Sequence, residues 1–247
     1  MPKDKSQSVS FWDAHAPWQQ AWLAHGQYHR DIIPLVTAKI RPGWRVLDIG
    51  AGSGILAVAL QQQRCQVTAL EPSRGMRALL QQTLCQYPEV QLTIDSRCWE
   101  EIPLNQLRGY HLMLACNSLQ VTSWGFARAL NKVFRAGPRN VCVIAEAHFI
   151  PANLSPPPKQ YRLLWHQQLS ADSSMAYHSL SEVWNHFHHN WGRHPTPAEQ
   201  EAIKQELIYR QGHWWLPQQT NLTIWWWGRQ PAAAGLAPDW QDCPRIY

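Results

Sequence analysis

Residues 46 to 54 read Val-Leu-Asp-Ile-Gly-Ala-Gly-Ser-Gly, and the helical pattern Ile55-Leu56-Ala57-Val58-Ala59-Leu60 follows at once. The run from Arg45 to Ile49 is short and apolar and leads straight into glycine, as expected of a buried parallel strand. Gly50, Gly52 and Gly54 remove Cβ atoms where the backbone turns sharply, and the helix after them presents free N–H groups. Such a strand, turn and helix predicts a parallel α/β fold whose first loop holds a small ligand.

Spacing narrows the ligand. A dinucleotide fingerprint is G-x-G-x-x-G with pyrophosphate on the helix N-terminus. Here Gly50-x-Gly52-x-Gly54 is one residue shorter, and Asp48 stands at the strand end. Two other readings stay open at this point: a turn whose glycines serve packing alone, and a nicotinamide site. The pattern resembles the first motif of class I S-adenosylmethionine (SAM) methyltransferases. In that family the loop wraps the methionine part of a cationic sulfonium, so a carboxylate is welcome there.

Two further acids extend the pattern. Gln66 to Leu70 reads as a second strand ending in Glu71, about 20 residues after the loop, where Rossmann-type folds place an acid on ribose hydroxyls. Pro72 and Ser73 open a helix bearing Met76, Leu79 and Leu80 at helical spacing, with Ser73 as N-cap. A third strand, Val90 to Ile94, ends in Asp95-Ser96. The resemblance implies that Asp95 accepts a hydrogen bond from the adenine amino group while the following backbone meets a ring nitrogen. Met76 and Trp99 are candidates for the adenine wall as well as for the core. A fourth strand over Tyr110 to Ala115, a helix over about Ser123 to Phe134 and a fifth strand over Val141 to Ala147 complete the repeat. The resemblance covers roughly residues 40 to 150. It implies a doubly wound, seven-stranded mixed sheet with SAM as cofactor, held by Asp48, Gly50, Ala51, Gly52, Gly54, Glu71, Pro72, Met76, Asp95, Ser96, Asn117 and Ser118.

The exit of the fourth strand, Ala115-Cys116-Asn117-Ser118-Leu119, lacks the Asp/Asn-Pro-Pro-Tyr/Phe motif of many amino-directed methyltransferases. It also lacks the Pro-Cys nucleophile of cytosine C5 enzymes and the acids of metal-dependent catechol enzymes. Asn117 and Ser118 are therefore read as polar contacts to the methionine end or the substrate. Tyr28 and His29, in an aromatic N-terminal helical segment, and His148, after the fifth strand, are the candidates for the acceptor side.

The flanking segments are assigned by pattern. Residues 1-40 are expected to form a helical lid and 41-150 the cofactor core. Residues 151-212 are expected to form a helical substrate cap, with helices over Gln160 to Leu169, Leu180 to His188 and Pro197 to Arg210. Residues 213-230 read as a terminal β-hairpin, Trp214-Trp215 facing Trp225-Trp226-Trp227 across Pro217 to Asn221, and 231-247 as a flexible tail. His178, His186, His188, His189 and His194 cluster, with His186 and His189 on one helical face, but only Glu182 accompanies them, so no metal is expected.

Composition sets the remaining bounds. The net charge is +5, yet Lys and Arg are dispersed singly, which argues against a nucleic-acid stripe. Six cysteines without a C-x-x-C pair read as reduced thiols. A polar start and the lack of a long apolar run point to a cytoplasmic protein with no membrane partner. The expected function is methylation of a small or medium-sized metabolite. Methylation of RNA or protein, SAM binding without turnover, and nicotinamide oxidoreduction are the alternatives.

Overall fold

In the computed structural model, which describes residues 5–151 and 154–230, the parallel repeat forms as the sequence expects. Helices α1 (Lys5–His25) and α2 (Tyr28–Thr37) precede strand β1 (Arg45–Ile49), then α3 (Ile55–Gln62), β2 (Gln66–Leu70), α4 (Arg74–Gln86) and β3 (Thr93–Asp95). The second half runs through β4 (Leu112–Cys116), α5 (Gly125–Ala136) and β5 (Asn140–Glu146). After these come β6 (Tyr161–Asp172), β7 (Met175–Tyr177), α6 (Leu180–Trp191), α7 (Pro197–Glu206), β8 (Ile208–Arg210), β9 (His213–Leu216) and β10 (Gln219–Arg229).

Seven strands form one sheet in the order β3-β2-β1-β4-β5-β10-β6. The first five are parallel, and β10 runs antiparallel to both β5 and β6. The chain moves outward from β1 to β3 on one side and then returns to β4 on the other, so the switch point lies between β1 and β4. Ligands of open α/β sheets bind in the crevice outside the strand carboxyl ends at that point. The central strands β1, β4 and β5 are buried on both faces, their alternate side chains entering two different cores. Leu47, Ile49, Met113, Val141 and Val143 pack on α5 through Phe126, Leu130 and Val133. Val46, Leu112, Leu114 and Ile144 face α2 and α3 through Ile32, Val36, Leu56 and Leu60. The run Trp225-Trp226-Trp227 divides the same way, Trp226 joining the second core and Trp227 the first.

Three expectations for the C-terminal third are corrected. The stretch Gln160 to Leu169 is not helical but lies mostly in β6, a twelve-residue edge strand. Tyr161, Leu164, Trp165 and Leu169 fall at helical spacing, but the unpaired side of β10, distant in sequence, recruits the chain into the sheet. The tryptophan runs do not pair as a hairpin. After Trp214-Trp215 the chain breaks at Pro217, and β9 joins β7 and β8 in a separate three-stranded sheet while β10 enters the large one. The helix beginning at Pro197 ends at Glu206, and Ile208–Arg210 is β8. The segment from β7 to β9 is thus a mixed α/β subdomain with its own core of Met175, Tyr177, Val183, Ile203 and Leu207, against which Trp22 packs. Smaller differences concern strand ends. β3 starts at Thr93, Val90 being buried in the preceding turn, and β4 and β5 begin and end within two residues of expectation. The caps at Ser73 and Thr196 form as expected. The stretch 231–247, expected to be a flexible tail, and its Cys243 lie outside the described residues.

Candidate functional site

A cavity of about 860 Å³ opens at the carboxyl edge of the sheet. Its floor is the loop after β1, the ends of β2, β4 and β5, and Trp99; its roof is α1 and the start of α2; and α6 closes one side. Tyr28, His29, Asp48, Gly50, Ala51, Gly52, Glu71, Pro72, Met76, Asn117 and Ser118 all line it.

The loop conformation explains its glycines. Gly50, Gly52 and Gly54 all have positive φ, which a side chain would strain. A Cβ on Gly50 would collide with Ser118, and one on Gly54 would stand 2.8 Å from Leu80 Cγ, so those two also serve packing. Gly52 is different: no atom stands within 4 Å of its Cβ position, which leaves its backbone open to a ligand. Glu71 ties this loop to the second strand. Its carboxylate accepts the Gly52 N–H at 2.8 Å through one oxygen and the Ser73 N–H at 2.8 Å through the other. Burial raises its pKa, those N–H bonds and Arg77 opposing. Each oxygen keeps a lone pair for ribose hydroxyls.

Asp48 is only 2% exposed, and its Oδ2 has no hydrogen-bond partner. Burial first, and repulsion from Glu71 second, push its pKa up to about 7. An orphaned buried carboxylate beside an open glycine backbone is what a cationic ligand would complete. The residues therefore fit S-adenosylmethionine: Asp48 and the Gly50–Gly52 backbone for its charged end, Glu71 for hydroxyls, Met76 and Trp99 for an apolar ring.

A second group stands where β4 and β5 end. Asn117 has φ 47°, a left-handed backbone that asparagine tolerates better than most residues. Its Nδ2 donates to the Tyr28 hydroxyl at 2.5 Å and to Glu146 Oε1 at 3.4 Å, and its Oδ1 accepts the Glu146 N–H at 3.0 Å. Asn117 thereby joins α2 to the sheet. Burial, with Cys116 and Glu146 nearby, raises the Tyr28 pKa far above the ordinary tyrosine value, so its hydroxyl keeps its proton. His29 is held neutral by burial, its pKa lowered to about 4. Glu146, raised by burial, lines the cavity.

Four predicted residues stand elsewhere. Gly54 packs on Leu80 rather than lining the cavity. Asp95 is engaged by Arg97, whose Nη2 lies 2.6 Å from Oδ2 and whose backbone N–H donates at 3.0 Å, and this pairing holds the carboxyl below its usual range. Ser96 is exposed beside it. His148 is exposed and pairs at 3.5 Å with Glu146, so the cavity is met by Glu146 and not by His148.

The structure also adds residues that the sequence reading missed. Glu100 lines the cavity and accepts bonds from Ser123. Phe11, His15, Trp18 and Trp22 line it from α1, and His186 and Asn190 from α6. The α1 residues were findable, since positions i, i+4, i+7 and i+11 share one helical face. Among the described residues, no group of three His, Cys, Asp or Glu is disposed to hold a metal ion. No helix there is long and apolar enough to cross a membrane.

Sheet order, glycine loop and strand-end acids define a class I, Rossmann-like α/β protein built for S-adenosylmethionine. The chain belongs to the methyltransferase family: the family model described as a methyltransferase domain matches residues 22–193. No curated protein matches the sequence. Among solved structures, the [4+2]-cyclase SpnF is similar with a TM-score of 0.56 at 15% identity, over 93% of this chain and 97% of that one. A functionally unknown protein from Deinococcus radiodurans R1 gives 0.53 at 13% identity, over 82% and 87%. A proposed RNA methyltransferase, PH1948 from Pyrococcus horikoshii, gives 0.51 at 11% identity, over 81% and 83%. At these identities the likenesses speak to the fold.

Proposed function

We propose that the chain methylates a small or medium-sized metabolite, using SAM held at the carboxyl edge of the sheet. The observation that carries this is the charge of the cavity. Although the chain has a net charge of +5, no Lys or Arg lines the cavity among the described residues, whereas Asp48, Glu71, Glu100 and Glu146 do. A phosphate backbone is recognised by Lys and Arg, so a wall without them disfavours RNA. A volume of about 860 Å³ lies inside the range of small-molecule sites, roughly 300–1,000 Å³.

The cofactor supplies an electrophilic methyl group. The chain supplies position and dryness. Asp48, Gly50, Ala51 and Gly52 hold the charged end, Glu71 and Pro72 border the ribose, and Met76, Cys98 and Trp99 flank the adenine in place of Asp95 and Ser96. Asn117 and Ser118 lie between cofactor and acceptor. Tyr28, His29 and Glu146 face the acceptor, and the α1 roof excludes water, the alignment being worth several kcal/mol in such reactions. Helices α1 and α2 act as the lid and the β7–β9 subdomain as the substrate wall.

Calorimetric titration with SAM and, separately, NAD tests the cofactor, and SAM is expected to bind while NAD does not. Incubation with methyl-labelled SAM and a size-fractionated cell extract tests the acceptor. Label in the low-mass fraction is the expected result. Label in RNA or protein overturns the metabolite reading, and SAM binding without label in any fraction overturns turnover.

A further inference from the structure

The half of the cavity under α1 differs in chemistry from the half at the strand ends. Phe11, His15, Trp18 and Trp22 line it from α1, Met175 from β7 and His186 from α6. Their rings are ordered rather than jumbled. Phe11 and His15 stack at 5.4 Å and 15°, and His189 stacks on both, at 5.1 Å and 22° to Phe11 and at 5.2 Å and 28° to His15. Trp18 and His186 form a second near-parallel pair at 4.9 Å and 29°.

The imidazoles are uncharged. Burial, reinforced by His186 and His189 at His15 and by His189 at His186, lowers both to about 4, so neither is a cation at neutral pH. The tautomer of His186 is set by its partners. Asn190 Nδ2 donates to Nε2 at 3.0 Å, so Nδ1–H donates to the Tyr177 hydroxyl at 2.7 Å. These bonds lock the ring plane against Trp18. The remaining polar members, Gln19, Ser173, Asn190, Gln218 and Thr220, are neutral.

We infer that this chamber is the acceptor subsite and that it binds a flat, uncharged aromatic molecule carrying a hydroxyl or N–H group. Parallel ring pairs present π-faces that favour offset stacking or edge contact with another ring. The neutral amides and hydroxyls orient one polar substituent. An anionic acceptor finds no cation to offset its desolvation. An aliphatic acceptor fills the volume without the ring contacts. The inference rests on the methyl-transfer reading for the word acceptor, but the binding itself does not.

The test uses the full chain and three probes, 1-naphthol, 1-naphthyl phosphate and decahydro-1-naphthol, followed by calorimetry and tryptophan fluorescence with and without S-adenosylhomocysteine. Naphthol is expected to bind, with the phosphate ester and the saturated alcohol at least about 10-fold weaker. Trp18→Ala and His186→Ala are each expected to weaken naphthol about 10-fold, the scale of one lost ring contact plus its buried area, with S-adenosylhomocysteine affinity within about twofold of wild type. Equal or tighter binding of the phosphate or the saturated alcohol overturns the inference. So does wild-type naphthol affinity in both folded variants. If neither variant folds, the ranking of the three probes on the wild-type chain decides alone. Failure of the cofactor reading is separately visible as absent S-adenosylhomocysteine binding while naphthol still binds.

Discussion

Asp48→Asn separates what the site costs the fold from what it gives the ligand. In the unfolded chain the Asp48 carboxyl ionises near the ordinary 3.8, and in the folded chain near 7. Because the folded value is raised, the folded state retains a proton that the unfolded state has lost between those two values. Stability present below about pH 4 is therefore lost as pH rises towards 7 and stays lost above it. The full difference corresponds to about 4 kcal/mol. Asparagine keeps the shape without the charge, so the ligand-free variant should be more stable than wild type by up to about 4 kcal/mol at pH 8 and equal to it near pH 4.

Ligand binding reverses the sign. A cation beside Asp48 favours the ionised carboxylate, so the proton held at pH 7 must leave on binding. With a pKa of about 7, roughly half a proton per site is released at pH 7 and almost none at pH 9. Calorimetry of SAM binding in two buffers of different ionisation heat measures this directly. Protonation of the ligand's own amino group is common to wild type and variant, so the difference between them belongs to Asp48. Asp48→Asn should also weaken SAM by one to two decades, about 1.5–3 kcal/mol for a lost charged hydrogen bond. Equal proton release in the two proteins would refute the placing of Asp48 against the cofactor's charge. A melting curve for the variant that follows wild type from pH 4 to 8 would show the carboxyl to be better solvated than the fold implies.

Three further perturbations follow from the same geometry. Glu71→Ala should lower SAM affinity by one to two decades and also destabilise the fold by about 1–3 kcal/mol for each N–H left unpaired, because Glu71 holds Gly52 and Ser73; urea titration and calorimetry check the two effects, and an unchanged dissociation constant refutes the ribose role. Asp13 on α1 accepts bonds from Ser73 Oγ at 2.6 Å and Gly75 N–H at 2.9 Å at the start of α4, so Asp13→Ala should loosen the roof, with faster proteolysis within α1 and SAM affinity down about fivefold, roughly 1 kcal/mol; unaltered cleavage would mean that apolar packing alone holds α1. Tyr28→Phe and His29→Ala should reduce turnover on an identified acceptor by about 10-fold or more while SAM affinity changes by less than about threefold, and equal losses in both would place these residues on the cofactor.

The parts of the fold legible in sequence are those that local pattern controls. The strand-turn-helix at Val46–Gly54 and the acids at the ends of β1 and β2 stand where spacing puts them, because strand ends of a parallel sheet share one edge. Asp95 does end the third strand but is occupied by Arg97, two residues away and visible in the sequence. The C-terminal third was less legible because its partners are remote. β6 is a strand only because β10, some 50 residues later, offers an edge, and the tryptophan runs separate because β9 pairs with β7 and β8 instead. The histidines posed the same difficulty. His186 and His189 share a helical face, yet what they face is Phe11, His15 and Trp18 on α1, more than 160 residues earlier.

The cavity is thus divided by charge, and the division carries its chemistry. At the strand ends are carboxylates, three of them, Asp48, Glu71 and Glu146, with pKa values raised by burial, which favour a cation. Under α1 are rings and neutral imidazoles, which favour an uncharged plane. Between them Tyr28, Asn117 and Glu146 form one hydrogen-bonded group that belongs to α2, β4 and β5 at once. Tyr28 keeps its proton and Glu146 has a raised pKa. The boundary can therefore donate through Tyr28 or accept through Glu146, and both residues line the cavity. A carboxylate whose pKa is raised towards neutrality is better matched to take a proton from a weakly acidic hydroxyl than an exposed one. On the proposed methyl-transfer reading, the acceptor-side role therefore passes from exposed His148 to Glu146 beside it.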